Sequence, residues 1–310
     1  MRPFMSSVAT VFVPGSIGNV GPGFDVLGLA VDGIGDKITV ELVNGPSRIA
    51  SVTGRDADAV PLAAEDNCCT VAANSLLHRI GEQRLAVVSI DRALPLAGGL
   101  GASAAASVGG AFAAALASGQ KVSTATILAA ALDGEDLISS RHLDNIAPSL
   151  LGGLTIARSN EPAEAIRVPI KGDWWVAVVS PAVRLTTKKA RSVLPQLVTQ
   201  ADFVQQMANT ASLVTAFATG DYELARHALV DLYAEPRRAA LIGSFYAVKE
   251  AALAAGALGC TISGAGPSVF ALLRDEATAI SVAKAMQAAF FPVDAGYHVG
   301  RVAAEGARRL

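Results

Sequence analysis

A glycine-rich segment at residues 95–105 is the part of this sequence whose residue types most clearly suggest chemistry. It reads Pro-Leu-Ala-Gly-Gly-Leu-Gly-Ala-Ser-Ala-Ala and leads into an alanine-rich stretch that we predict to be helical to about Ala117. Glycine permits left-handed backbone angles, and a helix start presents unpaired N–H groups that favour phosphate. A P-loop NTPase would have Gly-Lys-Ser/Thr here, but Gly101 is followed by Ala102 and Ser103. We therefore predict a phosphate-binding turn of another kind, and a tight connection without a ligand is the alternative.

The composition excludes several classes of protein. The chain has 310 residues and a net charge of −2, which fits two medium domains or one large one and argues against a nucleic-acid partner. Its three cysteines, of which Cys68 and Cys69 are adjacent, form neither a disulfide framework nor a metal-ligand pattern. The most apolar run, residues 104–117, is too short to span a bilayer, and the N-terminus lacks a signal-peptide core. These features predict a cytoplasmic protein without a membrane partner.

The elements that must position the glycine-rich segment are predicted from hydrophobic periodicity and turn residues. Before the segment, the sequence predicts a helix at 67–81 and strands at 8–13, 37–43 and 85–91. After it, the sequence predicts a helix at 123–139, a break at Pro148 and at residues 152–153, and a strand at 154–157. The first half of the chain therefore combines strands and helices.

The second half is predicted to begin with a buried strand at 174–179 and to continue with helical segments over 187–255. It then shows a pair of strands, a helix and a last strand, at 258–263, 268–273, 276–289 and 297–302. This order is ferredoxin-like. Because residues 160–172 are polar and rich in turn formers, we predict an N-terminal domain of residues 1–165 and a C-terminal domain of residues 166–310.

Three separated segments resemble the GHMP family of small-molecule kinases, named for galactokinase, homoserine kinase, mevalonate kinase and phosphomevalonate kinase. They are residues 13–25 (Val-Pro-Gly-Ser-Ile-Gly-Asn-Val-Gly-Pro-Gly-Phe-Asp), the glycine-rich segment, which follows the family pattern P-x-x-x-G-L-G-S-S-A-A, and residues 263–268 (Ser-Gly-Ala-Gly-Pro-Ser). Three further segments resemble the branch of the family whose acceptor is L-homoserine. They are residues 142–148 (His-Leu-Asp-Asn-Ile-Ala-Pro), 187–191 and 235–238. The resemblance covers nearly the whole chain.

The resemblance implies an α+β fold with two domains, of which the first is similar to domain 2 of ribosomal protein S5 and the second is ferredoxin-like. The active cleft would lie between them. It further implies an enzyme that uses ATP and Mg²⁺ to phosphorylate L-homoserine to O-phospho-L-homoserine for threonine biosynthesis. A homodimer is also implied by the resemblance.

For the nucleotide, the resemblance implies that the glycine-rich segment wraps the phosphates and that Asn67 contacts the adenine. The segment's implied binding residues are Pro95, Leu96, Ala97, Gly98, Gly99, Leu100, Gly101, Ala102, Ser103 and Ala104. Ala102 stands where the family has the first of two serines, so we expect a reduced contact there rather than lost activity. Ser103 and Glu135 are the implied Mg²⁺ ligands, and Asp133 and Asp136 are competitors for the carboxylate position.

For the acceptor, the resemblance implies contacts that suit an amino acid with a hydroxyl side chain. Asp25 would bind the α-amino group, and Arg191 and Arg238 would bind the α-carboxylate, which guanidinium groups recognise well. The other implied substrate contacts are Asn19, His142, Asn145, Thr187 and Gly264.

The group that removes the hydroxyl proton is the open question of the sequence. Some family members have an aspartate where this chain has Asn145, and asparagine cannot act as a general base. The resemblance therefore implies catalysis by positioning and electrostatic stabilisation. The competing hypothesis is that Asp144 is the base.

Other functions stay open at this point. A GHMP kinase with a different alcohol as acceptor is one, and a catalytically silent binding protein of the same fold is another. An NAD-dependent dehydrogenase is disfavoured, because G-x-G-x-x-G after a first βαβ strand is missing.

Overall fold

The computed structural model describes residues 7–96, 98–138 and 140–310, so Ala97, a predicted nucleotide-binding residue, lies outside the described part. In chain order, its first half contains β1 (Val8–Gly18), β2 (Leu27–Val43), β3 (Arg48–Gly54), α1 (Cys68–Arg79), β4 (Leu85–Arg92), α2 (Ala102–Ser118), α3 (Thr124–Ile138), α4 (Leu143–Leu151), β5 (Leu154–Asn160) and β6 (Ala163–Val168). The second half contains β7 (Trp175–Pro181), α5 (Thr187–Ser192), α6 (Gln200–Thr219), α7 (Tyr222–Ala228), α8 (Glu235–Arg238), α9 (Phe245–Ala254), β8 (Gly259–Ile262), β9 (Val269–Leu273), α10 (Glu276–Ala289), β10 (Ala295–Arg301) and β11 (Arg308–Arg309).

These elements form two sheets. The first has the order β11-β1-β2-β4-β3, with β5 paired to β2 and β6 paired to β5. The second has the order β10-β7-β9-β8 and is antiparallel throughout. Its strand and helix order is the predicted ferredoxin-like one, so the predicted α+β fold class is confirmed. In the described residues, no helix is both long and apolar enough to cross a membrane.

The alanine-rich helix α2 lies at the centre of the first half. Most of its residues are buried, and their small side chains allow the helix to approach β2 and α1 closely. A Cβ atom added at Gly110 would collide with the carbonyl of Cys69, and one added at Gly109 would collide with the Ile38 side chain. This packing fixes the start of α2, where the glycine-rich segment ends.

Several elements differ from their sequence predictions. β1 continues to Gly18 rather than ending at residue 13, and β3 and β6 lie where no strand was predicted. β2 begins at Leu27 rather than at residue 37, because its first part pairs with both β1 and β5. α4 continues through Pro148, where we predicted a break. Proline lacks the N–H that would bond to the Asp144 carbonyl. That carbonyl instead packs against Gly28, where an added Cβ would collide with it.

The predicted domain boundary at residue 165 lies within a strand of the first sheet. That position falls inside β6, which pairs with β5 along its length, so the first sheet continues to Val168 before the chain turns toward β7. The chain also returns to the first sheet, because β11 pairs with β1 and Val302 forms a bridge with Val31. The C-terminal end of the chain is therefore part of the first sheet, so the second half returns to the first half after β10.

Candidate active site

A cleft of about 1080 Å³ opens between the glycine-rich segment, α4, α5 and the turn between β8 and β9. Most of the predicted site residues line it: Asn19, Asp25, Leu96, Gly98, Gly99, Gly101, Ala102, Ser103, Glu135, His142, Asp144, Asn145, Thr187, Arg191, Arg238 and Gly264. The fold thus brings residues from distant parts of the chain into one cavity. Asn19 and Gly264, for example, are 245 positions apart and share a hydrogen bond.

The glycine-rich segment directs its carbonyl groups toward protein partners. The carbonyl of Gly98 accepts a hydrogen bond from the Ser268 hydroxyl, and that of Gly99 accepts one from the Ser263 hydroxyl. The carbonyl of Leu100 accepts the N–H of Ser16. Both hydroxyls belong to the third segment of the family resemblance, at the β8–β9 turn. That turn therefore supports the glycine-rich segment from the second half of the chain.

The start of α2 offers its N–H groups to the cleft. Gly101 precedes the helix with a φ of 63°, and it supplies no capping side chain. Ala102 and Ser103, the first residues of the helix, line the cleft. An anion in the cleft would meet these amides and the positive end of the helix dipole.

Ser103 and Glu135 lie together where α2 and α3 face the cleft. The Ser103 hydroxyl donates to Glu135 Oε1 at 2.9 Å. A hydroxyl and one carboxylate fit Mg²⁺, which takes one or two carboxylates together with phosphate oxygens and water. The described residues contain no cluster of three or more acidic, histidine or cysteine side chains that could hold a metal by itself.

The competing carboxylates are placed elsewhere. Asp133 accepts hydrogen bonds from Ser75, Arg79 and Arg141 at 2.5–2.7 Å. Burial would raise the pKa of Asp133, but these hydrogen bonds lower it. Asp136 is exposed, and neither aspartate lines the cleft. The geometry therefore favours Glu135 as the carboxylate near the phosphate-binding turn.

Asp25 and Arg191 form a bidentate ion pair across the cleft. The two terminal nitrogens of Arg191 each donate to a carboxylate oxygen of Asp25 at 3.0 Å. Burial would lower the pKa of Arg191, but the hydrogen bonds and charge of Asp25 raise it. His142 Nε2 lies 3.0 Å from Arg191 Nη2, and burial lowers the pKa of His142 more than the charge of Asp25 raises it.

Arg238 is held more rigidly than Arg191. It is 2 % exposed, and it donates to the carbonyls of Ala190 and Gly264 at 3.1 and 3.0 Å. The Asn19 amide also donates to the Gly264 carbonyl, at 2.7 Å. Burial lowers the pKa of Arg238, and the charge of Arg191 acts in the same direction. Arg238 therefore joins α5 to the β8–β9 turn, and Asn19 joins the turn after β1 to the same carbonyl.

Asp144 and Asn145 lie at the start of α4. Asp144 Oδ2 accepts the N–H of Asn19 at 3.0 Å, and Asn145 Oδ1 accepts the Ser16 hydroxyl at 3.1 Å. Burial, reinforced by the charge of Asp25, raises the pKa of Asp144 to about 7 despite the hydrogen bond from Asn19. Asp144 is therefore a carboxyl group that can change protonation near neutral pH.

Among the predicted nucleotide-binding residues that the structure describes, four do not line the cleft, namely Asn67, Pro95, Leu100 and Ala104. The Asn67 side chain caps α1, accepting from the N–H groups of Cys69 and Thr70, and its amide donates to the Pro61 carbonyl at 2.9 Å. The structure thus gives Asn67 the role of an ordinary helix cap, and its contact with adenine stays a prediction.

Sequence reasoning missed several cleft residues. Lys188 lines the cleft beside Thr187 and is exposed, and Ile138 and Leu185 add apolar surface to the same cavity. Lys188 lies inside the 187–191 segment that carries part of the family resemblance, and this position in the segment could have indicated that it lines the cleft. Nothing in the local sequence marks Ile138 or Leu185, because their contribution depends on how distant elements meet.

Comparisons with known proteins show the family to which this chain belongs. Residues 67–153 match the model of the GHMP kinases N terminal domain, and residues 213–292 match that of GHMP kinases C terminal. The chain is 40% identical over 284 residues to the homoserine kinase of Xanthomonas campestris pv. campestris, covering 91% of this chain and 87% of that one. It is 37% identical over 293 residues to the homoserine kinase of Chlorobium phaeobacteroides, covering 91% of both. The crystal structure of homoserine kinase from Cytophaga hutchinsonii superposes with a TM-score of 0.94 at 35% identity, over 100% of this chain and 99% of that one.

Proposed function

This chain belongs to the homoserine kinase branch of the GHMP kinases, and we propose that its cleft transfers the γ-phosphoryl group of ATP to the side-chain hydroxyl of L-homoserine. The product is O-phospho-L-homoserine, an intermediate of threonine biosynthesis. Membership of a kinase family excludes the dehydrogenase alternative.

One observation carries the proposal: a phosphate-binding turn and a pair of opposite charges share a single cleft. The turn is the start of α2, whose amides suit a nucleotide phosphate. The charges are those of Asp25 and Arg191, which suit the two charged groups of an amino acid. A mevalonate or sugar acceptor carries no ammonium group for Asp25 to bind.

In our proposal, Ser103 and Glu135 hold Mg²⁺ against the phosphates of ATP. The ion would replace the hydrogen bond between the two side chains. When bound, it supplies charge neutralisation for the transferred phosphoryl group. The segment at 98–103 holds the nucleotide from the other side, while its carbonyls remain bonded to the protein.

Homoserine would bind by exchanging partners with the Asp25–Arg191 ion pair. Its ammonium group would take the place of Arg191 beside Asp25, and its carboxylate would take the place of Asp25 beside Arg191. The exchange leaves no charge unpaired, so little electrostatic energy is lost when the pair opens. Arg238 is anchored to two carbonyls and would complete the carboxylate site.

We propose that the chain catalyses transfer by positioning, with Asn145 beside the reacting hydroxyl and Asp144 as support. On this account, Asp144→Asn is expected to change kcat by less than about tenfold, because asparagine can still accept the Asn19 N–H. A general base would contribute about 10²–10⁴-fold. A loss of several orders of magnitude in kcat with an unchanged circular dichroism spectrum would assign the base role to Asp144.

The same variant also tests the environment of Asp144. The pKa of about 7 lies above the usual value near 4, so between these limits the folded carboxyl stays protonated while the unfolded one ionises. Rising pH therefore removes stability, by up to about 1.4 kcal/mol per pH unit from this group. Urea unfolding at pH 4, 5, 6 and 7 should show Asp144→Asn gaining on the wild type as pH rises. A constant difference between the two proteins would contradict the raised pKa.

The direct test of the proposed function is ADP release from ATP with a panel of acceptors. L-Homoserine is expected to give the highest kcat/KM, and chelation of Mg²⁺ is expected to abolish turnover. A higher kcat/KM with mevalonate, shikimate or a sugar would refute the substrate. A lack of turnover with every acceptor, from protein that is folded, would favour the silent binding protein.

A homodimer and a cytoplasmic location complete the proposal. Both come from the family resemblance and from the composition, and light scattering of the purified protein would test the first.

A further inference from the structure

We propose that Phe24 is a positioning residue, whose aromatic ring holds the two guanidinium groups of the amino-acid site side by side. The Cζ atoms of Arg191 and Arg238 each lie 5.3 Å from the centroid of the Phe24 ring. One ring thus contacts both of the cations that we assign to the acceptor carboxylate. The inference deepens the proposed function and rests on it.

Two like charges at one site require a compensating group. Asp25 pairs with Arg191 through both carboxylate oxygens, whereas the hydrogen-bond acceptors of Arg238 in the described part of the chain are backbone carbonyls. Arg238 is also 2 % exposed, so water screens its repulsion from Arg191 poorly. The face of an aromatic ring carries partial negative charge and attracts cations within about 6 Å of its centroid. Phe24 can therefore compensate for both guanidinium groups without adding a carboxylate that would repel the substrate.

The ring matters most when the substrate binds. In the proposed exchange, Asp25 turns from Arg191 to the ammonium group of homoserine, and Arg191 pairs with the substrate carboxylate instead. While the partners change, His142 Nε2, 3.0 Å from Arg191 Nη2, carries no full negative charge that could hold the guanidinium group in place. Phe24 immediately precedes Asp25 in the chain and can keep Arg191 in place while the carboxylate changes partner.

The surroundings of Phe24 fix the orientation of the ring. Tyr233 packs against it edge to face, with centroids 4.9 Å apart and an interplanar angle of 77°. Phe24 also lines an apolar groove of about 590 Å³, together with Phe203 and Met207. Phe203 is exposed, and no guanidinium or ammonium group of the described residues lies over its ring, so it provides a matched aromatic control.

The test replaces Phe24 by phenylalanines with one, two and three ring fluorines, which weaken the negative face of the ring while nearly keeping its shape. We expect KM for L-homoserine to rise stepwise with fluorine number, to about tenfold for the trifluorinated ring, with KM for ATP unchanged. Phe24→Leu removes the ring and is expected to raise KM for L-homoserine at least as much. Phe24→Tyr keeps an aromatic face and is expected to leave KM for L-homoserine near the wild-type value. The trifluorinated ring at Phe203 is expected to leave all constants at their wild-type values.

Three outcomes would overturn the inference. A flat fluorine series combined with a defective Phe24→Leu would mean that Phe24 only fills space. A series in which KM for ATP and KM for L-homoserine rise together would indicate a general disturbance of the cleft. If the trifluorinated ring at Phe203 raised KM for L-homoserine as much as the one at Phe24, the effect would not depend on the position of Phe24 beside the two arginines. If the wild type itself shows no ADP release with L-homoserine, the proposed function fails first, so the two failures are distinguishable.

Discussion

Replacing Glu135 by glutamine is expected to lower kcat by about 100-fold or more, because a neutral amide is a poor ligand for Mg²⁺. The substitution is nearly isosteric, and an amide oxygen can still accept the Ser103 hydroxyl that now lies 2.9 Å from Glu135 Oε1. The effect should therefore come from the lost charge and not from a change in packing. The measurement is ADP release at a series of Mg²⁺ concentrations, where the variant should need more of the ion to reach its reduced maximum.

Asp136→Asn is the matched control for this prediction. Asp136 lies on the same helix, is exposed, and does not line the cleft, so its loss of charge should leave kcat and the Mg²⁺ dependence unchanged. The prediction fails if Glu135→Gln keeps wild-type kcat at saturating Mg²⁺, or if Asp136→Asn is the more damaging of the two. Either result would move the carboxylate ligand away from Glu135.

The second large effect is expected at Gly101, where alanine should lower kcat/KM for ATP by about 100-fold or more. The backbone there has a φ of 63°, which costs an L-residue about 1 kcal/mol or more. A Cβ atom would also collide with the Ser16 hydroxyl and lie 2.9 Å from Asn145 Oδ1. Since these neighbours line the start of α2, the turn must shift and its amides must leave the positions that suit phosphate.

Gly81→Ala separates the two causes. Gly81 has a similar φ of 71°, but an added Cβ there meets no atom within 4 Å. Both variants should lose a similar amount of stability from backbone strain, and only Gly101→Ala should lose ATP affinity. The measurements are thermal unfolding and steady-state kinetics with ATP varied. Equal kinetic constants for the two variants would show that the turn does not hold the nucleotide.

The sequence contained enough to predict the fold class and most of the cleft, because the informative signals are local. The glycines before α2 and the alternating strands depend on neighbours along the chain, and the resemblance connected them to distant segments. The identity of the acceptor came from the family resemblance, with which the charges of Asp25 and Arg191 are consistent. These parts of the prediction needed no knowledge of packing.

Other features depend on contacts between distant residues and could not be predicted. The ion pair between Asp25 and Arg191 joins positions 166 residues apart, so only the folded chain shows that the two groups meet. The helix through Pro148 exists because tertiary packing outweighs the proline's local preference. The capping role of Asn67 competes with the predicted adenine contact, and a single sequence does not distinguish a cap from a ligand contact.

The return of the chain to its first sheet has a consequence for biogenesis. Val11 and Phe12 pair with Arg309 and Arg308, and the N–H of Leu310 donates to the Thr10 carbonyl at 2.9 Å. On the ribosome, residues 10–12 of β1 therefore lack this outer partner until translation has passed the entire second sheet. An exposed edge strand can pair with another nascent polypeptide, so slow elongation or premature release would promote aggregation.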